Sequence, residues 1–259
     1  MKLDIYQIDA FAENQFEGNP AAVIPLVKWL PEATMQAIAE ENNLSETVFF
    51  VPTRNGFHIR WFTPVKEVEL CGHATLASAY VLFNILGYKE EVLSFESLSG
   101  ELFVTKNDNL LTLDFPAQPP EICSTPALLS SGLGKTPIEC LKHDDYVAIF
   151  ESEEDVLGLT PNNEALMQLN LRGVIATAPS SEFDFVARFF APKFGIPEDP
   201  VTGSAYTQLM PYWADKLEKS KLHAKQVSNR GGELFCELKG DRVLISGSAV
   251  TYMEGRIKI

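Results

Sequence analysis

The sequence is short of most features that mark a charged macromolecular partner or a bound metal. Basic residues number 21 against 35 acidic ones, a formal charge of -14. Affinity for nucleic acid comes largely from Lys and Arg neutralising phosphates, so no nucleic-acid partner is expected. An anionic substrate would have to be held by local donors rather than by the field of the whole protein. The four cysteines (71, 123, 140 and 236) and four histidines (58, 73, 143 and 223) are scattered, with no CxxC pair. Neither a zinc site nor a disulfide framework is indicated. No full GxGxxG or GxxxxGK[ST] motif occurs, and the expectation is chemistry without metal or cofactor. Low-complexity tracts that would suggest disorder are missing too. The N-terminus, MKLDIYQIDAF, lacks the apolar core of a signal peptide and alternates like a strand, which predicts a cytoplasmic protein.

One stretch stands out by what it does contain. From Leu70 to Tyr88 there is no Asp, Glu, Lys or Arg, nearly the length of a membrane span. Gly72, His73, Thr75, Ser78 and Asn84 interrupt it, however, and a helix apolar on every face can equally be buried in a large core. The pattern predicts a strand end at Glu69 to Cys71, a tight turn at Gly72-His73, and a central helix from Ala74 to about Leu86 closed by Gly87. Such a junction points unpaired N–H groups and the positive end of a helix at one spot, which suits a carboxylate. No membrane partner is expected.

Around it, Ala21 to Leu26 and SETVFFV read as strands, and LPEATMQAIAEEN as a helix with Pro31 and Glu32 at its start. Glu46 stands at the entrance of the second of these strands, either as a solvated end or held against Val48, Phe49 and Phe50, where apolar walls favour its neutral form. The sequence then repeats itself. Arg60-Trp61-Phe62-Thr63-Pro64 is matched by Arg188-Phe189-Phe190-Ala191-Pro192, Gly72-His73-Ala74 by Gly203-Ser204-Ala205, and Gly100-Glu101-Leu102-Phe103 by Gly232-Glu233-Leu234-Phe235. The order is kept and the offsets run only from 128 to 132 residues. Two domains of one design follow, 1–116 and 117–259, with the last strand free to pack on the first domain. Each places short strands around a charge-poor helix, Leu70 to Tyr88 and Pro200 to Ala214, so each sheet should curl round its helix like a barrel. Pro211 should kink or end the second helix early. Pseudo-symmetry would set the two strand-to-helix turns across a cleft, where small-molecule sites concentrate.

DAFAENQFEGNPAAV, LSETVFF, the CGHAT turn, SLSGEL, RFFAPKFGIPEDPVTGSA, SNRGGE and the terminal GSAV together resemble the PhzF family of phenazine-biosynthesis isomerases, over nearly the whole chain. The resemblance implies an α+β fold of two pseudo-symmetric diaminopimelate epimerase-like domains, each a β-barrel around a helix, and commonly a homodimer. It also implies an acid/base role for Glu46, with His73, Asp199 and Ser204 lining the same site. Asn19, Gly72, Gly203 and Ser204 are the candidate substrate-binding residues.

The residues fit these roles physically. Glu46 could take a C–H proton and return it to another carbon. His73, at a helix start, should resist becoming a cation and could donate a hydrogen bond or shuttle a proton; a core histidine bonded to backbone is the simpler alternative. Asp199 could orient His73 or a substrate amine, or cap the following helix. Arg60 and Arg188 read as structural ion-pair partners. Epimerases of the related architecture use one thiol from each half, whereas here Cys71 is matched by Thr202. One-base isomerisation of a small carboxylated substrate is therefore expected. The alternatives are a weak or inactive binding protein and, less favoured, an amino-acid epimerase.

Overall fold

The computed structural model describes residues Met1–Ile259. In chain order its elements are β1 (Lys2–Ala10), β2 (Asn19–Pro25), α1 (Glu32–Asn42), β3 (Glu46–Pro52), β4 (Phe57–Phe62), β5 (Glu67–Val68), α2 (Gly72–Tyr80), β6 (Val92–Ser97), β7 (Gly100–Asn107) and β8 (Leu110–Pro116). There follow β9 (Glu121–Ile122), α3 (Ala127–Leu133), β10 (Glu139–Lys142), β11 (Tyr146–Ile149), α4 (Glu153–Leu157), α5 (Asn163–Leu166), β12 (Val174–Pro179), β13 (Phe185–Ala191) and β14 (Ile196–Asp199). The chain ends with α6 (Tyr206–Leu217), β15 (Lys221–Gln226), β16 (Gly232–Lys239), β17 (Arg242–Gly247) and β18 (Ala249–Lys258). Two compact units result, Met1–Asp114 with Ser246–Ile259, and Phe115–Ile245. No helix is long and apolar enough to cross a membrane.

The repeated sequence becomes a repeated strand plan. In the first unit β1 and β2 are antiparallel, β2 and β3 parallel, β3 and β4 antiparallel, and β4 meets both β5 (antiparallel) and β6 (parallel) before β6 turns back on β7. The second unit runs through the same pattern with β10 to β16: β10–β11 antiparallel, β11–β12 parallel, β12–β13 antiparallel, β13 beside both β14 and β15, and β15 antiparallel to β16. In the first unit β18 also lies along β1, Lys258 opposite Lys2 and Ala249 opposite Ala10.

An arginine clamp marks the same point in both copies. Arg60 on β4 grips both oxygens of Glu67 on β5 at 2.6 Å each, and its guanidinium lies 5.2 Å from the Phe62 ring centre. Arg188 on β13 grips Glu198 on β14 at 2.7 and 2.9 Å, 5.0 Å from the Phe190 ring centre. The bidentate fork suits a guanidinium and no other side chain, and the predicted structural role of both arginines holds.

Helix α2 packs against β1, β2, β3 and β18, and every residue from His73 to Ala79 is buried. That is why the segment carries no charge: a polar face would have nowhere to reach water. Outside the sheet, α1 lays Met35, Ile38 and Ala39 against Phe49 and Phe62 in a second core layer. Its C-terminus closes at Asn43, whose φ of 51° is left-handed, a conformation Asn tolerates better than most residues. In the second unit α3, α4 and α5 form the corresponding outer layer around Leu129, Leu133, Val156, Leu166 and Phe190.

Three expectations are corrected. The central helix starts at Gly72 rather than Ala74, and its last turn, Val81–Ile85, is a π-helix in which the Leu86 N–H bonds Val81 O at 2.9 Å. The helix of the second copy does not start at Pro200: Gly203–Ala205 is a 3-10 turn and α6 begins at Tyr206. Nor does Pro211 end that helix, which runs on to Leu217. The carbonyl that Pro211 deprives of a donor belongs to Thr207, and the N–H of Gln118 takes the vacant place at 2.9 Å. The cost of a helical proline is thereby reduced to its steric part.

Candidate active site

The first half of the site is assembled in the first unit from three strand ends and a helix start. Between β1 and β2 the chain folds back tightly, with Phe11 and Phe16 at left-handed φ of 60° and 75°. Asp9, 1% exposed, accepts the Phe16 N–H at 3.0 Å. Gly18 has φ +64°, and a Cβ there would lie 2.2 Å from the Ala10 carbonyl oxygen, so only glycine fits the pinch. This turn delivers Asn19, fully buried, opposite Ala10. Glu46 enters beside Ala21, where β3 pairs in parallel with β2. Cys71 and His73 come from the start of α2.

Glu46, His73, Cys71 and Asn19 meet there. His73 Nε2 lies 3.0 Å from Glu46 Oε2. The contact is off the line of a good hydrogen bond, and neither atom has another partner. On the other edge of the ring, His73 Nδ1 is 3.2 Å from Asn19 Nδ2 and 3.5 Å from Cys71 Sγ. Ser45 Oγ donates to Asn19 Oδ1 at 3.1 Å and holds the amide in place. With Nδ2 toward the ring, Nδ1 is the acceptor of the neutral ring, whose proton then sits on Nε2, facing Glu46.

The electrostatics correct the expectation of a histidine kept neutral by the helix dipole. Burial works against the His73 cation, but its close contacts with Cys71 and with the Glu46 carboxylate outweigh it and hold its pKa well above the ordinary value. Burial, and next the charge of Glu46, push the Cys71 thiol up to about 11. Cys71 is therefore protonated at neutral pH, and Glu46 is the partner that retains the proton on His73.

The residues predicted from the second copy form a separate cluster in the second unit. Thr202 Oγ1 donates to Asp199 Oδ2 at 2.5 Å. Gln226, fully buried, accepts the Thr202 N–H at 2.9 Å and donates to the Asp199 carbonyl at 2.7 Å. Ser228 Oγ donates to Pro200 O at 2.8 Å. Gly203 and Ser204 follow in the 3-10 turn, whose Ser204 carbonyl accepts the Thr207 hydroxyl at 2.7 Å. One turn into α6, Gln208 donates to the buried carboxylate of Asp145 at 2.8 Å, and Arg172 holds the same carboxylate through Nε at 2.9 Å.

Asp9, Ser45, Gln226 and the Asp145–Gln208 pair carry these two turns and were not singled out from the sequence. Only Gln226 had a signal within reach, since it lies two residues before the Ser228-Asn229-Arg230-Gly231-Gly232 turn. The others act through contacts distant in sequence.

Two repeats of one strand plan, the first of them opening on a buried carboxylate–imidazole pair, make up an epimerase-like fold. The phenazine biosynthesis-like protein family matches residues 8–255, and the chain belongs to that family. It is 51% identical over all of its length to an uncharacterised isomerase of Pseudomonas aeruginosa, and covers all of that protein. A crystal structure of a PhzF-family phenazine biosynthesis protein from Enterococcus faecalis superposes with a TM-score of 0.98 at 48% identity, with both chains fully covered. A hydroxyproline epimerase from Agrobacterium vitis shares the fold, with a TM-score of 0.62 at 12% identity over 99% of this chain and 92% of that one.

Proposed function

We propose that the protein is a cofactor-independent isomerase in which Glu46 moves a proton between two carbons on one face of a small carboxylated substrate. The observation that carries this reading is the buried Glu46–His73 contact at 3.0 Å, whose facing oxygen and nitrogen have no other partner. A carboxylate held this way is a base of fixed direction. It takes the substrate C–H proton, becomes a carboxylic acid, and returns the proton to the second carbon. His73 faces Glu46 through Nε2 and steadies it by charge, its excess proton moderating the charge of the pair. The Asn19–Ser45 pair can serve both protonation states of His73, because a hydroxyl can donate to the amide oxygen or, after an amide flip, accept from its nitrogen.

In this proposal the substrate carboxylate is bound by N–H groups at Gly72 and at Gly203-Ser204, with Asp199 and Ser204 contacting substrate. Cys71 is assigned no role as a base, since burial and the charge of Glu46 push its thiol up to about 11. A cytoplasmic homodimer is part of the same proposal, and sedimentation equilibrium at micromolar protein tests the dimer.

The test of the chemistry is deuterium incorporation. Candidate cyclic and acyclic carboxylates are screened by thermal shift, and any that bind are incubated in D2O. Wild-type protein should place deuterium on substrate carbon, and Glu46→Gln should lose this activity by about 10²–10⁴-fold. Undiminished exchange in Glu46→Gln would sink the assignment; exchange at a single α-carbon that depends on Cys71 instead would favour an epimerase.

A further inference from the structure

The second unit holds a pair of thiols that the proposed chemistry does not use. Cys123 follows β9, and its N–H bonds the Cys140 carbonyl at 2.9 Å, extending the antiparallel β9–β10 register of Ile122 opposite Leu141. The two side chains face each other, with the Cys123 thiol donating to Cys140 Sγ across 3.7 Å. Cys140 is 2% exposed, whereas Cys123 is partly open to solvent. Directly paired antiparallel residues stand about 4.5–5.5 Å apart between Cα atoms, inside the range of about 4.4–6.8 Å that a disulfide spans. A small rotation about each Cα–Cβ bond is therefore enough to bring the sulfurs to bonding distance.

We propose that Cys123 and Cys140 are an oxidation site, converted by a peroxide into an intrachain disulfide that locks β9 to β10. In the first step the sulfur of Cys123 attacks one peroxide oxygen, the O–O bond breaks, and Cys123 becomes a sulfenic acid with release of one water from hydrogen peroxide. In the second, the sulfur of Cys140 attacks the Cys123 sulfur, the S–S bond forms, and the oxygen leaves as a second water. The two thiols lose two protons and two electrons, and the peroxide receives both.

The asymmetry of the pair sets the order of the steps. Burial, and next its contact with Cys123, push the Cys140 thiol up to about 12, so it is a poor first nucleophile and serves as the resolving thiol. The other two cysteines lack this arrangement: Cys71 is buried beside His73, and Cys236 is 3% exposed with its thiol pushed far up by burial. The closed loop would contain the whole of α3.

The full-length protein is exposed to hydrogen peroxide, quenched, denatured without reductant, alkylated and analysed by peptide mass spectrometry. The expected result is a fall in free thiols from four to two, in a monomeric chain, with a linked peptide joining Cys123 to Cys140 that dithiothreitol reverses. Cys123→Ser should keep its three remaining thiols under the same exposure. Cys140→Ser should stop at a sulfenic acid on Cys123 that dimedone traps. The proposal is overturned if both cysteines stay alkylatable under conditions that oxidise glutathione. It is equally overturned if thiols are lost without the Cys123–Cys140 link, or if Cys123→Ser loses thiols as fast as the wild type.

Discussion

The two strand-to-helix turns, Cys71-Gly72-His73 and Thr202-Gly203-Ser204, occupy matching places in one repeated plan and are built in opposite ways. Behind each lies the same clamp, Arg60 on Glu67 in one and Arg188 on Glu198 in the other. Ahead of the clamp the first turn concentrates ionisable groups, with Glu46, Cys71 and His73 all buried. The second replaces thiol and imidazole with hydroxyls and ties its acid, Asp199, into a set of neutral donors around Thr202 and Gln226. A duplicated scaffold thus carries buried ionisable groups in one copy and fixed polar contacts in the other. The proposed chemistry with a single base needs that division, whereas paired thiols would need symmetry.

The largest effects should separate the turns by kinetics. With a substrate in hand, His73→Ala is expected to lower kcat by about 10²-fold or more, while Ser204→Ala should mainly raise KM, by about tenfold, for one lost hydrogen bond to a charged group. A matching loss of kcat at Ser204 would erase the distinction. Next in size, Gln226→Leu removes the side-chain partner of the buried Thr202 N–H and of the Asp199 carbonyl and should cost about 2–4 kcal/mol in urea unfolding. A cost below about 1 kcal/mol would show that the second turn does not depend on its amide.

The clamps offer a smaller contrast. Arg188 also donates to the carbonyls of Val156 and Leu159 at 3.0 and 3.2 Å, whereas the second partner of Arg60 is the exposed Glu32. Arg188→Lys should therefore destabilise by about 1–2 kcal/mol and Arg60→Lys by less than about 1 kcal/mol; the reverse order would overturn the reading. The smallest effect is a pH dependence. His73 is raised in the folded state, so its proton stabilises the fold fully below the unfolded value of about 6.5, and that contribution fades as pH rises through the folded value. The stability gap between wild type and His73→Gln should narrow from pH 6 toward alkaline pH in parallel unfolding titrations, and a widening gap would reverse the assigned sign.

Much of this was legible in the sequence for local reasons. The charge-free run announced a wrapped helix, Pro31 and Glu32 marked the start of α1, and three short matches at one spacing revealed the duplication before any strand was paired. Other features depend on contacts that no spacing encodes. Pro211 looked like a kink or a helix stop because its neighbour across space, Gln118, lies far away in sequence. The charge of His73 was misjudged from the helix dipole alone, since the dipole is shared by every helix start while Glu46 and Cys71 are specific to this one. Asp9 and Ser45 are ordinary residues by type, and only the buried amide and imine atoms they help to satisfy give them a role.

The proline in α6 also has a constructive side. By withholding an N–H it keeps one carbonyl of the helix open as a socket, and Gln118 plugs into it while its own side-chain oxygen shares the Thr207 hydroxyl with Ser204 O, 2.7 Å from each, and its amide nitrogen reaches Asp144 at 2.9 Å. An incoming backbone can thus be stitched to the wall of a helix without prising the helix apart. Restoring the missing donor with Pro211→Ala would set two N–H groups competing for one oxygen, and a residue usually regarded as a defect would prove to be the fastening point of the chain segment that precedes β9.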